Sequence, residues 1–318
     1  MPGRNAASEK FTWWIMDKAQ EKVLRDFAGE HVRFHCSMVP YTTFKAGGEV
    51  AALWEVRGIE ELLNGVSFLR LARIPYFVLG SGSNLLIRDG GMEGVAIRLE
   101  GSLAAIEEYS RDEQTLRAGT GLSISDLMTV CRQKGYGGLE FLAGIPGSVG
   151  GAVVMNAGAF GKDMASVIHC VEMVSPSGEL IEKEIYELSF DYRKLHLEKG
   201  TIVSRVLLGL EKGSAEDVTR RVAEYLKKRK KTQPMEYPSA GSIFKNPPGD
   251  HAGRLIEATG LKGMRRGGAM ISTKHANWIV NTGEAKAEDI LALIELAREK
   301  VKVKTGIELE LELKVLGQ

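Results

Sequence analysis

The sequence predicts an α+β protein built in more than one part, on three observations. Short apolar runs bounded by glycine alternate with amphipathic helical stretches along the whole chain. Three glycine-rich loops fall between Gly80 and Gly151. Near Gly213 the composition turns to a long charged helix, so a boundary is placed near residue 212. At 318 residues the chain is long enough to bury a large core and to divide into domains. Lys and Arg number 42 against 41 Asp and Glu, so no overall field steers it to nucleic acid or to an anionic membrane. No apolar run reaches the ~18 residues of a membrane span. The start, "MPGRNAASEKFTWWIMDKAQ", is broken by Asp17 and Lys18 before it reaches leader length. Cys36, Cys131 and Cys170 are odd in number and far apart, which argues against a disulfide framework or a zinc site. The six histidines show no ligand spacing, so no metal is expected. These features describe a cytoplasmic globular protein.

The elements follow in order. Ala19, Val23, Leu24 and Phe27 recur at helical spacing between Asp17 and about Glu30. "YTTFKAGGEVAALWEV" reads as a loop, a double glycine and a strand. "GIEELLNGVSFLRLARI" is an amphipathic helix and "PYFVLG" a short buried strand. "NLLIRD" and "GVAIRL" are strands around the turn signal Asp89-Gly90-Gly91. Alternation weakens from Ile106 to Leu116. "SISDLMTVCRQKG" is a helix that Ser123 caps and Gly135 stops. "HCVEMVSPSGELIEKE" is a hairpin turning at Ser175–Gly178, and "GTIVSRVLLGLEKG" a strand. "SAEDVTRRVAEYLKKRKKTQP" is a charged helix ending before Pro234. A proline-bearing loop, a short helix at "HAGRLIEATG", the strand "ANWIVN", the amphipathic helix "KAEDILALIELAREKVKVKTG" and a strand "IELELELKVLG" complete the chain. The expected division is a helical segment over 1–37, a domain over 38–212 and a smaller α+β domain over 213–318, with no internal repeat.

The glycine loops carry the chemistry. In "LGSGSNLLIRDGG", Gly80, Ser81, Gly82, Ser83 and Asn84 offer backbone N–H groups and small side chains before Leu85, the composition of an anion nest. A dinucleotide fingerprint fails, because Leu85 holds the place of the third glycine and a strand follows. "GTGLS", with Gly119 and Gly121, precedes a helix N-terminus. "LEFLAGIPGSVGGAVVMNAGAFG" repeats the pattern with Gly144, Ile145, Gly147, Ser148, Gly150 and Gly151. Glycine lets another surface approach the main chain. Three such loops fit one extended ligand carrying phosphates and flat rings, and a flavin dinucleotide is such a ligand.

"PYTTFKAGG" (Pro40–Gly48), the two glycine stretches above and "PSAGSIFKNP" (Pro238–Pro247), in this order, resemble the UDP-N-acetylenolpyruvoylglucosamine reductase family from about residue 38 to 317. The resemblance implies a two-lobed FAD-binding domain of the vanillyl-alcohol-oxidase (PCMH) type, followed by a smaller substrate domain. It implies non-covalent FAD along the loops, including Leu85 and Ile145, since no histidine stands in an attachment motif. It implies NADPH as hydride donor and UDP-N-acetylglucosamine enolpyruvate as substrate, reduced to UDP-N-acetylmuramate for peptidoglycan. In the family reaction hydride passes from flavin N5 to the β-carbon, charge builds on the carboxylate, and the α-carbon takes a proton.

By this resemblance Arg193 in "SFDYRKLHL" holds the carboxylate, Ser242 protonates the α-carbon, and Glu312 is the family's C-terminal glutamate, an acid when burial keeps it protonated. Read alone, Glu308, Glu310 and Glu312 share one strand face, and Leu311 stands where the family usually has proline. Lys230 or Lys231 of "KKRKK" is expected at the substrate diphosphate, although by itself the run reads as a solvated helix end. Asn246 and Tyr192 are the further substrate contacts. The interval from Arg193 to Ser242 is short for a large insertion, which favours the form without a capping tyrosine loop. An FAD-dependent oxidase and a non-catalytic flavin-binding module are the alternative readings.

Overall fold

The structure is a computed structural model and describes residues 16–108 and 114–318. The reading of the first fifteen residues as lacking a leader, and the centre of the weak stretch after Ile106, fall outside the described residues. Helix α1 (Lys18–Ala28) starts at Asp17, whose carboxylate accepts from Gln20 N at 2.8 Å. It buries Leu24 and Ala28 in one core with Ala52 and Trp54. Burying one such leucine contributes about 1.5–3 kcal/mol. The first sheet holds β1 (Val32–Ser37), β2 (Glu49–Val56), β3 (Tyr76–Val78) and, beyond a detached β4 (Leu85–Ile87), β5 (Met92–Leu99). Its order is β1-β2-β5-β3, with β1 antiparallel to β2 and both other pairs parallel. Helix α2 (Ile59–Leu71) makes the crossover and covers the sheet through Leu62, Val66 and Leu69. The expected separate segment over 1–37 is therefore corrected. Its described part packs on this lobe, because β1 would otherwise leave the β2 edge unpaired.

The second lobe is an antiparallel sheet of β6 (Ile106–Glu108), β7 (Thr115–Gly119), β8 (Ile168–Val174), β9 (Leu180–Glu184) and β10 (Ile202–Gly209), in the order β9-β8-β10-β7-β6. Between β7 and β8 run α3 (Ile124–Lys134), capped by Ser123 and stopped by left-handed Gly135, and α4 (Val149–Val154). Helix α5 (Ala215–Thr232) was expected to open the C-terminal domain. Instead its Val218 and Val222 join the core of the second lobe with Leu127 and Cys131 of α3. By packing, the domain border falls after α5 rather than near residue 212. The last unit holds β11 (Ser239–Ser242), α6 (Ala252–Ala258), β12 (Arg265–Arg266), β13 (Ala269–Ile271), β14 (Trp278–Asn281) and α7 (Ala287–Thr305), with sheet order β11-β14-β13-β12.

Two strand readings change. The expected terminal strand "IELELELKVLG" reduces to β15 (Lys314–Leu316) and one bridge between Leu311 and Phe244. β15 crosses back to pair in parallel with β4, Leu85 opposite Lys314, so the chain end is sewn into the first lobe. The strand β3, expected to be buried, leaves Val78 42% exposed. Its open face lines the cavity described next.

Candidate active site

One cavity of about 910 Å³ lies where the two lobes and the C-terminal unit meet. Gly80 to Leu85, Gly121, Ile145, Gly147, Ser148, Gly150 and Gly151 all line it, so the structure brings the three glycine loops together. Gly119 lies off the lining. It belongs to β7, and a Cβ there would collide with the Leu103 carbonyl oxygen. The loop between β3 and β4 is fixed from behind, because Thr43 N and Thr43 Oγ1 donate to Gly82 O at 3.1 and 3.3 Å. Among the described residues, none of the five N–H groups from Gly80 to Asn84 has a protein acceptor. Five such donors in succession on a cavity wall are available to an anionic ligand. The glycines have different causes. A side chain at Gly82 (φ +62°) would strike the Tyr41 carbonyl. At Gly147 the missing Cβ would face Ser83 Oγ at 3.3 Å and Ile124 Cδ1 at 3.4 Å, across the gap between two loops. A diphosphate with attached rings fits these walls, which is the requirement of FAD.

Arg193, Ser242 and Glu312 line the same cavity. Arg193 sits at φ +61°, unusual for a side-chain-bearing residue, at the turn between the short strands Phe190–Asp191 and Lys194–Leu195. Its Nη2 donates to Gly158 O at 3.0 Å, and its Nε lies 3.2 Å from Glu312 Oε1. The three glutamates that share one pattern in the sequence separate here. The Glu312 side chain is 18% exposed, against 73% for Glu310, which pairs with Lys245, and 64% for Glu308, which pairs with Lys302. The cause is local. Glu312 N and Leu313 N both donate to Ile243 O, at 2.9 and 3.3 Å, which breaks strand alternation and turns Glu312 inward. Burial pushes the Glu312 carboxyl above its ordinary range, against the opposing pull of Arg193 and Lys245. Ser242 ends β11 after Gly241 at φ +75°. Among the described residues its hydroxyl has no protein partner.

Other expected contacts lie off the lining. Tyr192 is half exposed, with the Arg193 guanidinium 5.0 Å over its ring. Asn246 is exposed, and its Oδ1 accepts from Ala252 N at 3.1 Å where α6 begins. Lys230 and Lys231 point to solvent. The cation of that run which lines the cavity is Arg229, 8% exposed, donating from Nη2 to Phe141 O at 3.3 Å, its buried Nε without an acceptor. Burial, then the neighbouring Arg193, push its guanidinium down to about 10. It stays charged at neutral pH. A signal existed: Val218, Val222, Tyr225 and Arg229 form one helical stripe, so Arg229 faces inward while its lysine neighbours face out. Lys314 also stands on the wall, its ammonium pushed down by desolvation.

Comparison with known proteins supplies the family. The family model described as UDP-N-acetylenolpyruvoylglucosamine reductase, C-terminal domain, matches residues 233–316, and one described as FAD binding domain matches residues 50–183. The UDP-N-acetylenolpyruvoylglucosamine reductase of Caldanaerobacter subterraneus subsp. tengcongensis is 42% identical over 88% of this chain and 92% of its own length. That of Syntrophus aciditrophicus is 43% identical over 87% of this chain and 89% of its own. The crystal structure of the reductase from Thermus caldophilus superposes with a TM-score of 0.78 at 42% identity, covering 89% of this chain and 98% of that one. The chain belongs to the UDP-N-acetylenolpyruvoylglucosamine reductase family.

Proposed function

We propose that this chain reduces UDP-N-acetylglucosamine enolpyruvate to UDP-N-acetylmuramate, a peptidoglycan precursor, using non-covalent FAD and NADPH in the cytoplasm. The observation that carries the reading is one cavity holding both the five acceptor-free N–H groups and the Arg193–Glu312 pair with Ser242. Gly80 to Asn84 would hold the cofactor diphosphate, facing Gly147 and Ser148. FAD, when bound, supplies a two-electron relay from NADPH to the enolpyruvyl double bond.

The protein's own groups manage charge and protons. Arg193 offers its guanidinium to the substrate carboxylate, where negative charge grows during reduction. That guanidinium already faces Glu312. An arriving carboxylate makes two acids share one cation, which drives the already raised Glu312 further towards its protonated form. Binding thereby loads a proton beside the reacting carbon. Ser242 is the donor to the α-carbon. A serine hydroxyl is a weak acid, and the fields of Arg193, Arg229 and Lys314 on the same walls favour the negative charge left behind. Among the described residues no helix is long and apolar enough to cross a membrane.

The test is an anaerobic spectrum of the FAD-loaded protein. NADPH should bleach the flavin, and adding the enolpyruvyl substrate should restore its colour. Failure of substrate to restore colour, with rapid recovery and peroxide formation on admitting air, would instead identify an oxidase.

A further inference from the structure

We infer that Asn84 is a positioning residue for Glu312, through which the ordering of the cofactor loop reaches the catalytic carboxyl. The inference rests on the reading of Glu312 given above. Asn84 closes the row of free N–H groups, yet its side chain turns away from that row. Its Nδ2 donates to the Glu312 carbonyl at 3.0 Å and contacts Met155 Sδ at 3.5 Å, while its own carbonyl accepts from Lys314 N at 3.1 Å. One residue of the nest thus grips both sides of Leu313, itself 3% exposed.

The opposite side of the same segment is held by Ile243, the residue after Ser242, whose carbonyl accepts from Glu312 N and Leu313 N. The Glu312 peptide is therefore suspended between the strand that carries the proton donor and the loop built for the cofactor. Pairing of β15 with β4 starts only at Lys314 and does not reach Glu312. Among the described residues, Asn84 supplies the only hydrogen bond to the Glu312 carbonyl. A loop that tightens on a diphosphate then fixes Glu312 against Arg193. A second link between the same two parts provides a control. Asp89 accepts from Ala287 N and Glu288 N at 2.9 and 2.8 Å, capping α7 without touching residues 310–314.

The experiment is anaerobic stopped-flow at saturating FAD on wild type, Asn84→Ala, Glu312→Gln, the double variant and Asp89→Ala. Asn84→Ala should slow flavin reoxidation by saturating enolpyruvyl substrate about tenfold, since small misplacements of a reacting group are costly. The half-saturating substrate concentration and the rate of reduction by NADPH should stay within about twofold. The double variant should be no slower than Glu312→Gln, because both act through one group, and Asp89→Ala should leave the ratio of the two half-reactions unchanged. Multiplying effects, equal slowing of both half-reactions by Asn84→Ala, or the same pattern from Asp89→Ala would each overturn the inference. Hydrogen exchange on the peptide covering residues 307–318 gives a readout independent of turnover. FAD should protect it in wild type and not in Asn84→Ala, and equal protection in both would refute the coupling. If Glu312→Gln alone leaves reoxidation untouched, the assignment of Glu312 as acid fails, and the exchange result by itself decides the role of Asn84.

Discussion

Arg193 and Glu312 show how far single residues were legible. Arg193 stands out in no periodicity, and its φ of +61° is a structural fact that no pattern announces. Glu312 could not be told from Glu308 and Glu310 by alternation, because a doubled hydrogen bond to Ile243 O, and not strand geometry, turns it inward. Family resemblance had to single it out. Its raised carboxyl makes a signed prediction. A group whose folded pKa exceeds its unfolded one contributes stability below the unfolded value, lost as pH rises through the folded one. Wild type should therefore lose stability relative to Glu312→Gln as pH climbs from below the ordinary glutamate range, near 4.3, to neutrality. Denaturant midpoints of both proteins over that range provide the check, and parallel curves would mean the carboxyl is not raised. Reoxidation by substrate should also slow as pH rises through that titration in wild type, and the limb should vanish in Glu312→Gln. The role proposed for Ser242 lies in the same half-reaction. Ser242→Ala should leave bleaching by NADPH near normal and slow reoxidation about 10²–10⁴-fold, the usual worth of a positioned acid. Equal slowing of both halves in stopped-flow would make Ser242 a structural loop residue.

At the scale of elements, the glycine loops were readable because nests depend on local composition, whereas the reason for each glycine was not. Gly82 is glycine because Tyr41 O lies where its Cβ would be, whereas a Cβ at Gly147 would meet only side-chain atoms, Ser83 Oγ at 3.3 Å and Ile124 Cδ1 at 3.4 Å. These causes separate in a melting experiment. Gly82→Val should lower the melting temperature of apo-protein and of FAD-saturated protein alike. Gly147→Val should leave the apo-protein nearer wild type and lose much of the stabilisation that FAD gives, since a ligand stabilises only as far as it binds. Equal flavin shifts in wild type and Gly147→Val would remove that loop from the cofactor site. Helix α4 escaped the sequence reading for a related reason. It is 6 residues long and carries Gly150 and Gly151, poor helix formers, in its first turn, and tertiary packing of Val149, Ala152 and Val153 holds it in place. The terminal strand failed in the opposite way. Perfect alternation predicted pairing along its whole length, but only Lys314–Leu316 finds a full partner, in β4.

Among the described residues four hydrophobic clusters, two of them in the first lobe, surround one cavity, and the composition change at Gly213 misplaced the border because α5 is charged on its outer face yet packs on the second lobe. That packing carries Arg229 into the cavity. A buried cation with an unpartnered Nε, beside a second guanidinium, costs the empty protein stability. An anionic ligand would offset that cost. Arg229→Met keeps much of the length and apolar stem while removing the charge. It should make the apo-protein as stable as wild type or more so, because a buried unpaired charge is replaced by a packable side chain. The same change should weaken binding of the UDP-linked substrate to the FAD-loaded enzyme by about tenfold or more, a charge-assisted contact being worth roughly 1.5–3 kcal/mol. Substitution of Lys230 or Lys231 by methionine should alter affinity little, since both point to solvent and exposed pairs contribute about 0–1 kcal/mol. Calorimetric melting without ligand and substrate titration of the holoenzyme measure the two sides. A destabilised apo-protein with unchanged affinity would reverse the assignment, making Arg229 a structural tie to Phe141 and returning the anion to the lysines at the helix end.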